Sequence, residues 1–279
     1  SYDVEYCYWS NIPDDDLAAD EDLPWLMGQF VWTGFDYLGE PTPYDTDAWP
    51  NHSSMFGIID LASIPKDRYW LYRSVWNTSS PTLHILPHWN WAGREGETTP
   101  VFVYTSYPSA ELFVNGKSQG RRSKNRNSNM ERFRLMWNDV RYEPGDLRVV
   151  AYDADGHAVM EKSVRTASKA RRIELTPDRS VITADGKDLT YINVHLVDKD
   201  GNPVPTDSRE IKIDVSGAGH FLAIANGDPT SLESFREPHM HLFNGQLTAI
   251  VQSADHGGDI TVKASAKGVA GTSVTIKAQ

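Results

Sequence analysis

The feature that most restricts the fold is a succession of short strand-length runs divided by turn dipeptides beyond residue 76. Residues 82–88, 101–106, 111–114, 131–137, 146–153 and 158–165 have the length and residue types of strands and show no 3.6-residue period. Asn115-Gly116 and Asp155-Gly156 supply the positive φ angles that tight hairpin turns require. The pattern resumes over residues 172–177, 189–198, 210–215, 246–252, 258–266 and 272–278, with turns at Lys199-Asp200-Gly201-Asn202-Pro203 and Asn244-Gly245. Short strands at regular spacing with no helices between them predict β-sandwiches, one over residues 77–166 and one over 167–279, joined near residues 166–172.

Residues 1–76 have a different texture. Residues 29–33, QFVWT, form an apolar run that reads as a strand buried on both faces. The chain then turns polar and breaker-rich at Gly34, Asp36, Gly39, Glu40 and Pro41. A core strand followed by an ordinary loop has this form, and so does the top of a β/α barrel, where such loops line active sites. Before it, Pro13 and three consecutive Asp residues favour the first turn of a helix running toward Trp25. Those acids could also ligate calcium, but they lack the alternation and central Gly of a calcium loop. Tyr69, Tyr72, Arg73 and Trp76 recur at helical spacing over residues 67–76 and predict a second helix with an aromatic core face.

Two blocks in this region, FVWTGFDYLGEPTPY from Phe30 and FGIIDLASIPKDRYWLY from Phe56, resemble the end of the catalytic barrel in glycoside hydrolase family 2, most closely the β-galactosidase-type members. VYTSYPSAELFVNGKSQG, from Val103, resembles the immunoglobulin-like module that follows that barrel. The last unit resembles the bacterial Ig-like domain at the C-terminus of many such enzymes, where ANGDPTSLESF, from Ala225, is a familiar stretch without an assigned role. The resemblance implies a mainly β chain: the last strand and helix of a (β/α)8 barrel over residues 1–76, then two Ig-like sandwiches. It also implies that Trp32 helps wall a sugar site. Tyr44 and Trp49, with His52, are further candidate lining residues from the long loop that follows. No cofactor and no metal is implied.

Family 2 enzymes retain configuration and use two Glu residues, set about 5–5.5 Å apart as in other retaining glycosidases. Both lie on earlier barrel strands, and this sequence has no match to either motif. Asp36 and Glu40 are paired carboxylates four residues apart. They fall in the block after the last strand, where the family places neither nucleophile nor proton donor, so no catalytic residue is assigned. The expectation is an accessory C-terminal portion of a β-galactosidase, inactive alone and partnered by the missing upstream barrel. Without that partner, residues 29–33 would need other cover, either by packing onto the unit that follows or by pairing with another chain. A periplasmic or extracellular bacterial location follows from the family only. A stand-alone carbohydrate-binding protein or a structural Ig-like array are the alternative readings.

Charge and composition bound the partners. Residues 1–75 hold 14 acidic and 3 basic side chains, so the net charge of −11 resides in the first quarter; the remainder holds 24 of each. That balance disfavours nucleic acid and anionic lipid and suits a neutral sugar. No apolar run approaches the ~18 residues of a membrane span. The single cysteine, Cys7, excludes an internal disulfide and reads as a small core residue. Lys117, Arg121, Arg122, Lys124 and Arg126 read as a solvated loop rather than a nucleic-acid patch, having no interleaved aromatics. Trp89 and Trp91 would share a face on a strand and could stack on a sugar, although a core or interface role is the plainer reading. His239 and His241 could ligate a metal from one face of a strand, but no third ligand is evident and a surface strand is preferred.

Overall fold

The computed structural model describes residues 2–41 and 51–279. Two compact units emerge, one made of Ser1–Gly34 with Pro65–Thr166, the other of Phe35–Ile64 with Ala167–Gln279. Residues 1–76 are therefore shared between them. Tyr44 and Trp49 lie outside the described residues.

In the first unit, helix α1 (Pro13–Asp22) starts with Pro at its first turn and carries Asp14, Asp15 and Asp16 there. Pro lacks the N–H that an opening turn leaves unused, and the acids complement the positive end of the helix dipole. Helix α2 (Asp67–Trp76) forms as the aromatic periodicity predicts and buries Leu71 and Tyr72. The strand expected over residues 29–33 does not form, and no sheet among the described residues includes that run. A strand exists only where a neighbour's backbone takes up its hydrogen bonds, so residue types suited to a strand do not make one by themselves. Cys7, expected in the core, is exposed.

The sandwich of this unit sets a sheet of β1 (Leu83–Leu86), β2 (Val101–Thr105) and β5 (Leu135–Trp137) beside one of β3 (Ser109–Val114), β4 (Lys117–Ser123), β6 (Asp146–Tyr152) and β7 (Ala158–Arg165). Spatial order is β1-β2-β5 and β4-β3-β6-β7, and all neighbours are antiparallel. Val101, Val103, Leu112, Leu135, Leu147 and Val149 fill the space between the sheets. Asn115 and Gly116 both take positive φ in the β3–β4 turn, as a two-residue hairpin demands. The basic run read as a loop is instead mostly strand β4. Its side chains are exposed on both faces, as an edge strand's can be, so no alternation betrayed it. Residues 131–137 were expected to be one strand. Helix α3 (Asn129–Phe133) occupies the first part, because Ser128 caps it by accepting the N–H of Glu131 in a Ser-x-x-Glu pattern.

A buried ionic cluster joins α1 to this sandwich. Arg134, fully buried between α3 and β5, donates to Asp14 through Nε (2.8 Å) and Nη2, and to Asp3 through Nη1 (2.9 Å). Burial pushes the Tyr104 hydroxyl up, so it stays protonated and donates to the same Asp3 carboxylate. Arg68 of α2 reaches Asp3 from the other side. At the rim, Arg132 makes a forked pair with Asp22 (2.8 and 2.9 Å) and also binds Glu21.

The second unit holds the C-terminal sandwich: β8 (Arg172–Pro177), β9 (Val181–Ile182), β10 (Leu189–Val197), β11 (Glu210–Gly217), β12 (Gly219–Ala225), β13 (His239–His241), β14 (Gln246–Ser253), β15 (Gly258–Ser265) and β16 (Thr272–Ala278). One sheet runs β12-β14-β10-β8 and the other β13-β11-β15-β16-β9, with β9 parallel to β16. Ile192, Val194, Leu196, Leu247, Val251, Ile260, Val262 and Ile276 alternate into one core. Asn244 and Gly245 again take positive φ. Strands β9 and β12 were not expected from the sequence, whereas β13 is the surface strand read at His239 and His241. No helix among the described residues is long and apolar enough to cross a membrane.

Asp198 closes the turn after β10. Burial alone would raise its pKa. The N–H groups of Ser168, Asp200 and Asn202, the Asn202 amide and the Ser168 hydroxyl all donate to it, and hold it well below the usual carboxylate range.

Both clusters make measurable demands on stability. Arg134→Leu removes the guanidinium from two buried carboxylates and should cost about 3–5 kcal/mol in denaturant unfolding, against about 1 kcal/mol or less for breaking the exposed Arg94–Glu97 pair. Equal losses would mean that Asp3 and Asp14 do not depend on Arg134. For Asp198, a depressed folded pKa gives stability that is present above the unfolded value of about 4 and lost as pH falls through the folded value. Asp198→Asn should therefore be less stable than the parent at pH 7, with the gap closing below about pH 4. A gap independent of pH would assign the effect to packing alone.

Candidate functional site

The segment between α1 and α2 carries the candidate site. Its first part, in the first unit, displays apolar side chains to solvent: Met27 and Phe30 are fully exposed, Trp25 is 72% exposed and Trp32 is 76% exposed. Gln29 is fastened to Asp20 of α1 through its side-chain amide (2.6 Å). The Trp32–Thr33 peptide bond is cis.

The second part, in the second unit, is a folded-back pair of segments, residues 35–41 and 51–64. Phe35 bridges Ile59 and Leu38 bridges Ser53. Ser54 N–H donates to the Tyr37 carbonyl (2.9 Å), and Tyr37 N–H to the Ser54 hydroxyl (3.0 Å). Asp36 is buried, and its carboxylate accepts the Gly57 N–H (2.8 Å). Gly57 must be Gly, since a Cβ there would meet the Asp36 backbone nitrogen at 2.2 Å. Glu40 accepts the Tyr37 hydroxyl, and the Tyr37 ring meets Phe56 edge-on at 5.8 Å. The two carboxylates that tempt a catalytic reading thus brace the segment. Asp60 accepts the N–H groups of Ala62 (2.8 Å) and Ile64 (2.9 Å).

The paired segments are tied to the C-terminal sandwich at three points. His52 N–H donates to the Pro229 carbonyl (2.9 Å). Thr248 of β14 donates its hydroxyl to the Ala62 carbonyl (2.7 Å), with both residues buried. Gly227 lies so close to Asp60 that a Cβ would stand 2.0 Å from its Oδ2. The ANGDP stretch, visible in the sequence without a role, makes two of these contacts. Nothing in composition or period pointed to its partner, because the partner lies in a distant part of the chain, before α2.

Other sequence candidates fall elsewhere. Trp89 is fully buried in the first sandwich, its indole N–H donating to the Glu143 carbonyl (2.9 Å), and Trp91 stacks on His88. They form no open sugar platform, since one ring faces the core. Asp14 and Asp15 of the acidic run are engaged by Arg134 and Asn129, and Asp16 by Asn11, so they do not converge as calcium ligands. His239 and His241 share the exposed face of β13 as expected, paired with Glu210 and Glu233. Among the described residues, the one convergent His/Asp group is Asp153, Asp155 and His157 on the β6–β7 hairpin. There Asp153 is already occupied by the N–H groups of Asp155 and His157.

Two β-sandwiches following an aromatic, acid-rich segment are an architecture with known kin. Residues 173–275 match the glycoside hydrolase family 2 C-terminal domain 5, and residues 96–160 match a domain of unknown function, DUF4982. The chain belongs to glycoside hydrolase family 2, of which it carries C-terminal domains. Over all 279 residues it is 39% identical to beta-galactosidase BoGH2A of Bacteroides ovatus, covering 32% of that protein. It is 30% identical over 215 residues to a putative beta-glucuronidase of Formosa agariphila, which is 75% of this chain and 20% of that one. The crystal structure of a beta-glycosidase from Bacteroides vulgatus aligns with 96% of this chain and 33% of its own, with a TM-score of 0.86 and 32% identity. The chain thus spans a third or less of the length of these relatives.

The exposed indoles give a direct check on the site's geometry. Trp32→Phe should lower the fraction of tryptophan emission that acrylamide quenches, and should shift the remainder to the blue. An unchanged quenchable fraction would mean that Trp32 is covered.

Proposed function

We propose that this chain is the C-terminal portion of a retaining β-galactosidase-type glycoside hydrolase, made of the end of the catalytic barrel (residues 1–76) and two Ig-like domains (77–166 and 167–279). The observation that carries this reading is the run Trp25, Met27, Phe30 and Trp32. It has the composition of a buried strand, yet all four side chains stand exposed to solvent. Neighbouring barrel strands upstream would both pair its backbone and cover its side chains. Trp32 then lines the sugar site, where an indole face packs on the apolar face of a pyranose. Tyr44 and Trp49 are assigned to the same lining. The two catalytic Glu residues belong to the upstream part, and the chain alone is inactive. A bacterial periplasmic or extracellular location fits the relatives.

A galactoside is favoured over a glucuronide on two grounds. The relative matching the whole chain is named a beta-galactosidase. A glucuronide also bears a carboxylate, which a first quarter with 14 acidic and 3 basic residues does not attract.

The test compares this chain with a polypeptide that joins it to its upstream barrel, on nitrophenyl β-galactoside and β-glucuronide. The longer protein should hydrolyse the galactoside, and the 279-residue chain neither substrate. Trp32→Ala in the longer protein should lower kcat/KM by about 1–3 kcal/mol of transition-state binding, roughly 5- to 150-fold. Turnover by the chain alone, abolished by Asp36→Asn or Glu40→Gln, would defeat the proposal; a preference for the glucuronide would defeat its substrate.

A further inference from the structure

One face of the C-terminal sandwich carries a groove of about 290 Å³, far along the chain from Trp32. Its floor follows from alternation along β10. Tyr191, Asn193 and His195 point away from the core, while Ile192, Val194 and Leu196 point into it. Register sets Gln246 of β14 beside His195. Pro203 and Pro205 form a wall, and the Asn244-Gly245 turn closes one end. The wall is fixed. Val204, between the prolines, is buried in the core, and its N–H donates to the Leu196 carbonyl (2.9 Å). Gly245 lets the turn close onto this loop, since a Cβ there would stand 2.1 Å from the Val204 carbonyl oxygen. The floor is ordered too. His195 Nδ1 lies 3.0 Å from Asn193 Oδ1, and His195 Nε2 lies 3.4 Å from Glu174 of β8. Asn193 Nδ2 reaches Gln246 Oε1 only at 3.5 Å, and among the described residues the Gln246 side-chain N–H groups have no partner.

These groups select a class of ligand. Two primary amides side by side offer donors and acceptors together, which is what neighbouring hydroxyls require, since each gives one proton and takes others. The proline rings supply an apolar wall for the C–H groups of a sugar ring. An anion is disfavoured, because the Glu174 carboxylate stands behind His195 and holds the Arg172 guanidinium (2.6 Å). The volume is at the small end of ligand clefts, about 300–1,000 Å³, and suits one sugar ring better than a larger ligand. Tyr191, 40% exposed, stands two residues from Asn193 on the same face, about 7 Å along the strand, where the next ring of a chain would lie on it. The geometry points to a binding site for a neutral oligosaccharide: Asn193, His195 and Gln246 bond the hydroxyls of one ring, and Tyr191 stacks on its neighbour. All of these residues belong to the second unit, and binding there requires neither turnover nor the upstream barrel.

The experiment titrates the 279-residue chain with galactotetraose, with cellotetraose and, as the charged control, with tetragalacturonate. The side-chain amide signals of Asn193 and Gln246 are followed by NMR. At least one neutral tetraose should shift both signals saturably, with Kd on the order of 1 mM or tighter, and tetragalacturonate should shift neither. His195→Ala and Gln246→Ala should each weaken binding about 5- to 10-fold, the loss of one or two hydrogen bonds. Tyr191→Ala should weaken it about 5-fold, and Tyr191→Phe, which keeps the ring, should restore it. Lys212→Ala, on the exposed face of β11 in the opposite sheet, should bind as the parent does. Silence of both amide signals with both neutral sugars would overturn the proposal. So would parent affinity in both His195→Ala and Gln246→Ala, a loss in Lys212→Ala equal to theirs, or tighter binding of tetragalacturonate than of either neutral sugar. Parent affinity in Tyr191→Ala would overturn the stacking role.

Discussion

The forked pairing of Arg134 with Asp14 and Asp3 is the constraint on which the first unit depends. Taking three charges out of water is expensive, and a buried ionic cluster of this kind need add nothing to stability over an apolar one of the same shape. It does, however, permit one arrangement only. The guanidinium plane fixes the rotation of α1 through Asp14, the N-terminal turn through Asp3, and the β5 entry through its own backbone. Tyr104 and Arg68 complete the ring of partners, so strand β2 and helix α2 enter the same geometry. The acidic excess of the first quarter, which reads in the sequence as a bias of the surface, is thus partly consumed internally. Asp3, Asp14, Glu21 and Asp22 all end on arginines of the first unit.

The chain passes from the first unit into the second and back again. The N-terminal segment and α2 belong with the first sandwich, while residues between them belong with the second. A long segment without regular hydrogen bonding depends on ties to the body it lies on. Here the support is backbone to backbone at Pro229, hydroxyl to backbone at Thr248, and steric at Gly227. Only the steric tie meets a charged group, Asp60, and none of the three leaves a mark in composition.

Legibility varied with how local the cause was. Helix α2 and the hairpin turns at Asn115-Gly116 and Asn244-Gly245 were plain, since an aromatic stripe or a positive-φ dipeptide acts within a short stretch of chain. The Lys117–Ser123 strand was missed because an edge strand exposed on both faces has no alternation to display. Residues 131–137 were misread because apolar content outweighed the Ser128–Glu131 cap, a helix signal confined to a single turn. The strand expected at residues 29–33 failed for the opposite reason: its local signal was strong, but strands are made by partners. Trp32 entered the candidate site through the family resemblance alone, and the close approach of Gly227 to Asp60 had no signal in the sequence.

By itself the sequence determined the mainly β class, the count of two sandwiches, the positions of the tight turns and the two helices flanking the candidate site. Each of these depends on φ preferences, on hydrophobic period, or on charge near a helix end, all of which act between near neighbours in the chain. Only the tertiary structure decided that Asp36 and Glu40 brace a loop, that Trp89 is core, that the acidic helix answers to Arg132 and Arg134, and that the ANGDP turn grips residues 51–64. Most of those outcomes join groups far apart along the chain, as Thr248 joins Ala62 and Arg134 joins Asp3. Proximity across such separations is set by packing, which no local pattern encodes.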